Sequence, residues 1–196
     1  MPEPKTARGR ERRRAIISDA AALMHERGVQ ATGIDEVLVA CRCGKGQFYH
    51  YFQSKDDLLA AVLEYQLESV LGELEDFRLD TWRGLRAWFD RLLARQERRG
   101  FRGCPVGSLA VELSPSTPGL QGLIAEAFAR WETVLADAFA SMKRKGSLGP
   151  DAQPVLLAEA VLVAIQGGYL LSTAHLDARP MRTALDAAYQ QLRASR

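Results

Sequence analysis

The chain has 196 residues, 47% hydrophobic and 26% charged, with a net charge of +2. That length allows one domain or a small domain beside a larger one, and the apolar fraction supports an ordinary buried core. No apolar run reaches the roughly 18 residues of a membrane span, no apolar leader opens the chain, and three cysteines without framework spacing exclude a disulfide scaffold; a cytoplasmic protein with no membrane partner is expected.

Residues 1–14 concentrate positive charge, with Lys5, Arg8, Arg10, Arg12, Arg13 and Arg14 against Glu3 and Glu11, a local balance of +4. A first helix is expected from near Arg10 to Glu26, burying Ile16, Ile17, Ala20, Leu23 and Met24 and stopped by Gly28. Arginines at a helix N-terminus oppose the macrodipole, and a phosphate backbone would supply the missing anions.

Thr32-Gly33-Ile34-Asp35 has the form of a capping box and predicts a helix from Ile34 to Cys41, packed through Ile34, Val37, Leu38 and Cys41. The stretch Gly44 to Phe52 predicts a second short helix. Phe48 and Phe52 stand four apart and anchor one face, while Lys45, Gln47, Tyr49 and His50 place a charge, an amide, a hydroxyl and an imidazole elsewhere. Ser54-Lys55-Asp56-Asp57 is a second capping box, which ends that helix and starts a long one. Two short helices joined by a tight turn describe a helix-turn-helix, whose second helix enters the major groove of DNA.

Thr32-Gly33-Ile34, Gly46-Gln47-Phe48-Tyr49-His50-Tyr51-Phe52 and Ser54-Lys55-Asp56-Asp57-Leu58-Leu59 together resemble the signature of the TetR family of bacterial transcriptional regulators. The match covers about a quarter of the chain by motif order and spacing. It implies a head over residues 1–53 that binds a double-stranded operator through Arg12, Thr32, Lys45, Gln47, Tyr49, His50 and Lys55. One departure stands out: where the family usually has Ala-Gly-Val-Ser, this chain has Cys41-Arg42-Cys43-Gly44. Arg42 then occupies the turn glycine's position, in a different turn or with some strain.

The rest, residues 54–196, reads as helices. Leu58, Leu59, Val62, Leu63, Leu67, Val70, Leu71 and Leu74 predict a helix of about six turns ending near Phe77. From Thr81 to Arg99, Leu85, Trp88, Phe89, Leu92 and Leu93 form an apolar stripe, and a short helix follows over Val106 to Leu113. Ser114 to Pro118 is a loop with Thr117 as N-cap, and the helix after it buries residues from Leu120 to Met142. The segment Val155 to Leu171 is apolar on nearly every side and must be covered all round, which points to a second copy of the chain. Val161, Ile165, Gly168 and Leu171, with Leu185 and Tyr189 of a last helix opened by Pro180, are the expected dimer contacts. The fold expected is all-α, with about nine helices.

By the same resemblance the body holds a small-molecule effector, and Trp88, Phe89, Cys104, Phe128, Trp131, Gln166 and Tyr169 are the candidate lining residues. The segment Arg102-Gly103-Cys104-Pro105 is similar to that of a NemR/LmrA-like branch with electrophile- and oxidant-sensing members, so Cys104 is an alternative thiol trigger. A remote alternative is a metal-responsive regulator using Cys41, Cys43 and His50, whose spacing is poor for zinc. No resident cofactor or metal is expected. An enzyme is not expected either, because no pairing of Cys104 with His25, His50 or His175 brings an oxyanion loop or an orienting acid.

Overall fold

A computed structural model describes residues 4–98, 100–113 and 118–196. Through them run nine helices and no strand: α1 (Ala7–Arg27), α2 (Ile34–Ala40), α3 (Lys45–Tyr51), α4 (Lys55–Glu75), α5 (Trp82–Arg98), α6 (Pro105–Leu113), α7 (Pro118–Arg144), α8 (Pro154–His175) and α9 (Arg179–Ala194). The expected loop over residues 114–117, its N-cap Thr117 and the helix end at Arg99 lie outside the described residues.

Local chemistry sets most boundaries. α1 starts one turn earlier than its arginines suggested, because Thr6 Oγ1 accepts from Gly9 N at 3.1 Å. It ends as expected at Gly28, whose φ of 87° suits glycine and whose N–H returns to the Met24 carbonyl. The cap of α2 is corrected: Gly33 occupies the N-cap position, and Glu36 Oε2 accepts from Gly33 N at 2.9 Å. Thr32 is instead buried, its hydroxyl donating to the Gly28 carbonyl at 2.7 Å. Before α4, Ser54 Oγ accepts from Asp57 N as the box expects, while Asp57 Oδ2 reaches one residue further back and accepts from Gln53 N.

The chain divides into two compact units that exchange segments. One holds residues 1–69 and 105–127; the other holds 70–104 and 128–196. The unit with the helix-turn-helix is thus larger than residues 1–53, since it takes in the first part of α4, all of α6 and the start of α7. Its core is built on Ile16, Ala20, Val37, Phe48, Phe52, Leu58 and Leu67.

In the other unit α9 packs along α8 and reaches α5. A Cβ on Gly168 would fall 2.6 Å from Met181 Sδ, so this glycine admits α9 closely. Met181 N donates to Ser172 Oγ at 3.0 Å inside that seam. α8 is long and apolar enough to cross a membrane by length and composition, although Glu159 and Gln166 interrupt its apolar run. Part of its surface is nevertheless spent on the chain's own core, with Leu157, Ala158, Val161, Ile165 and Tyr169 buried.

Candidate nucleic-acid interface and effector site

α3 presents two faces of different chemistry. Phe48 and Phe52 are fully buried with ring centroids 5.4 Å apart, and the Arg13 guanidinium lies 5.3 Å from the Phe52 centroid. Lys45, Gln47, Tyr49 and His50 are exposed, leaving charge, amide, hydroxyl and imidazole available to phosphates and base edges. Lys45 pairs with Asp35 at 3.3 Å, an exposed contact worth little in water and easily exchanged for a phosphate.

The turn between α2 and α3 holds a non-glycine residue in the left-handed region, Arg42 at φ 50°. Arg12 meets it from α1: its Nη2 donates to the carbonyls of Cys41 at 2.9 Å and Arg42 at 3.1 Å. The same guanidinium reaches α3, where Nε and Nη2 both donate to Gln47 Oε1 at 3.3 Å. A cation at the end of α2 also suits that helix's dipole. Arg12 and Gln47 line one open groove with Thr6, Arg8, Glu11 and Tyr51.

The loop after α1 is held from two sides. Val29 N donates to Glu112 Oε2 of α6 at 2.6 Å, and Lys55 Nζ donates to the Val29 carbonyl at 2.9 Å. Lys55 and Thr32, two residues the sequence reading assigns to DNA, therefore have partners within the head. Glu112 is passed over by that reading, and its separation of 83 residues from Val29 leaves no local signal. Beside it His25, Gln66, Pro105 and Ser108 border a crevice too narrow for a water molecule, which is packing and not a ligand cavity.

The Cys41 and Cys43 sulfurs stand 2.6 Å apart. Burial, reinforced by Cys41, pushes the Cys43 thiol up to about 11. Among the described residues no three His, Cys, Asp or Glu side chains gather as a metal set.

All seven candidate effector residues fall within residues 70–104 and 128–196. Trp88, Phe89, Trp131 and Tyr169 are buried, Phe128 and Gln166 half-buried. Trp88 and Phe89 have ring centroids 5.2 Å apart. Cys104 is 4% exposed and its sulfur receives Gln166 Nε2 at 3.6 Å, the setting of an interior thiol. Gln96 of α5 lies in the same unit. Gln96 and Trp131 are each 1% exposed, and Gln96 Nε2 and Trp131 Nε1 have no hydrogen-bond partner among the described residues.

Of the expected dimer contacts, Val161, Ile165, Gly168 and Leu185 are buried within their own chain, and Tyr189 packs edge-on to Trp82 with centroids 5.7 Å apart. Leu171 is exposed. It lies on a stripe of α8 with Leu156, Val163 and Leu170, between 51% and 69% exposed, to which the exposed Gly167 belongs. Val161, Ile165 and Gly168 face their own chain while Leu171 does not, and a helix apolar all round gives periodicity nothing to separate the two sides.

The family model described as bacterial regulatory proteins, tetR family, matches residues 16–62. A second, described as transcriptional regulator LmrA/YxaF-like, C-terminal domain, matches residues 82–187. The transcriptional regulator AcuR of Cereibacter sphaeroides is 32% identical over 82% of this chain and 75% of its own length. The HTH-type transcriptional repressor DhaR of a Mycobacterium species is 24% identical over 92% and 91%. Among solved structures, a regulatory protein TetR from Rhodobacter sphaeroides superposes with a TM-score of 0.81 at 27% identity, covering 90% of this chain and 96% of that one.

Proposed function

The chain belongs to the TetR family of bacterial transcriptional regulators, and from that premise we propose that it is a homodimeric repressor released from its operator by a small molecule. The observation that carries the DNA half is α3, anchored by Phe48 and Phe52 with its polar side chains outward. Lys45, Tyr49 and His50 contact phosphates and base edges, and the basic start of α1 follows the backbone. Two heads in a dimer read half-sites about 34 Å apart, one helical turn, so the operator is a pseudo-palindrome.

The dimer forms through the α8 stripe of Leu156, Val163, Leu170 and Leu171, with α8 and α9 of each copy making a four-helix bundle. A contiguous exposed apolar stripe on a helix is what a subunit contact covers. The effector sits in the body among the buried aromatics. Two buried N–H donors without acceptors favour a ligand carrying carbonyl, carboxylate or ether oxygens over a pure hydrocarbon, because an orphaned buried donor is costly until it is met. The sign of regulation follows the relative named a repressor. The effector acts by binding better to the dimer state whose head spacing no longer fits the operator.

Capture of genomic fragments by the purified protein tests this, followed by binding of the recovered duplex across salt concentrations. A palindromic fragment bound with a steep salt dependence is expected. Absence of any salt-dependent specific fragment would sink the regulator. Val163→Arg should yield monomers by sedimentation and lose tight binding, since burying an unpaired charge costs several kcal/mol; an unchanged dimer would exclude the α8 stripe.

A further inference from the structure

We propose that Arg12 sets the base preference of the DNA-binding helix by fixing the polarity of the Gln47 amide. A glutamine side chain offers one acceptor oxygen and one NH2 donor group. Free to turn, it pairs with adenine, whose N6 amino group needs the oxygen while N7 takes a hydrogen. Here that oxygen is already taken, because Arg12 Nε and Nη2 both donate to Gln47 Oε1 at 3.3 Å. A flip is disfavoured, since it would set NH2 hydrogens against the guanidinium hydrogens. Arg12 is itself fixed by the carbonyls of Cys41 and Arg42, so the arrangement is built into the turn.

Gln47 is exposed in the groove it shares with Arg8 and Arg12, and it therefore approaches DNA as a donor. The base it fits is one with acceptors only on its major-groove edge. Guanine, with adjacent O6 and N7, fits best; thymine O4 is a weaker second, and adenine is disfavoured because its N6 amino group would meet another amino group. Arg12, although basic and beside the interface, acts as a positioning residue and not as a phosphate contact.

The test is selection from a pool of duplexes with randomised half-sites, using the full-length wild type, Gln47→Ala and Arg12→Ala. The position whose preference vanishes in Gln47→Ala is the base that Gln47 reads. Wild type should enrich guanine there, and Arg12→Ala, which frees Oε1, should shift the guanine-to-adenine ratio by about tenfold toward adenine while other positions keep their preferences, a factor within what one good base contact supplies. Adenine enriched by wild type, or an unchanged ratio in a folded Arg12→Ala, overturns the inference and leaves DNA binding intact. No enrichment of any sequence by wild type overturns the inference together with the regulator itself. If melting shows that Arg12→Ala does not fold, Gln47→Glu replaces it. It keeps the Arg12 contact as an ion pair and removes the donors, so cytosine should replace guanine, and retained guanine would count against the proposal.

Discussion

The two units spend their polar side chains differently. In the unit with the helix-turn-helix, polar groups hold backbone: Arg12 binds the Cys41 and Arg42 carbonyls, Thr32 that of Gly28, Lys55 that of Val29, and Glu112 the Val29 N–H. In the other unit some polar groups also hold backbone, Ser172 the Met181 N–H and Lys143 the Ala152 carbonyl, but Gln96 and Trp131 are buried with donors that have no partner among the described residues. A surface that must match DNA needs fixed loops. In the proposed effector site, donors left without an acceptor would lower stability until a ligand met them.

Deleting one of the head's backbone supports tests this contrast with the largest effect. Glu112→Ala strands the Val29 N–H and should cost about 2 kcal/mol, within the range for a buried group left unpaired. Thermal melting should show a fall of several degrees together with weaker operator binding. A melt unchanged within error would mean that water replaces Glu112 and the loop is not held by it.

Lys55→Met should cost about 1 kcal/mol, the ordinary worth of one hydrogen bond. Because its ammonium is spent on the Val29 carbonyl, the salt slope of operator binding should stay the same. A drop of about one unit would show that Lys55 contacts a phosphate in the complex.

A smaller effect is expected at Asp80, which meets Lys145 and bonds to Arg78 Nε at 3.1 Å. Hydrogen bonds from Lys145 and then Arg78 hold its carboxyl down at about 2. A depressed carboxylate pKa stabilises the fold above the unfolded value near 3.8, and that stability is lost as pH falls through the folded value. Asp80→Asn should therefore cost about 0.5 kcal/mol at neutral pH, as partly exposed pairs do. The difference from wild type should close between about pH 4 and pH 2 in acid melts; a constant difference would assign the cost to something other than charge.

A change of the opposite sign is expected at Gln96. Gln96→Met removes a buried amide whose Nε2 has no partner among the described residues, with little change of volume. Stability should hold or rise by up to about 1 kcal/mol, the reverse of Glu112→Ala. A clear loss in denaturant titration would show that Gln96 is structural and remove it from the effector site.

What the amino-acid order revealed follows the same division. The head's anchors and stops are local: Phe48 to Phe52 is four residues, Ser54 to Asp57 three, and Gly28 ends its own helix. Arg12 was visible as a basic residue, but its partners lie 29 to 35 residues away and its role depends on the turn's conformation. The turn itself resolves to a positive φ at Arg42, the strained alternative. Thr32 was misplaced by one position because hydroxyl-glycine-apolar-acid fits a cap equally well one residue later. In the body, stripes of buried residues were legible on α5 and α9, where polar faces give contrast. On α8 they were not, and Val161 and Ile165 were assigned to a partner when they face their own core.

The exchange of segments between units bears on how such a regulator could be rebuilt from parts. A chimera made by joining residues 1–53 to a foreign body would carry α1, α2 and α3 with their aromatic anchors and the Arg12 bracket. It would leave behind Lys55, first residue of α4, and Glu112, which α6 returns from half a chain away. The graft would look complete as a stretch of sequence, yet Val29 would arrive with neither of its supports. A transplantable reader therefore has to include α4 up to about residue 69 and accept an α6 that brings a carboxylate to the position of Glu112. Reuse by recombination is constrained to donors that already share that acid.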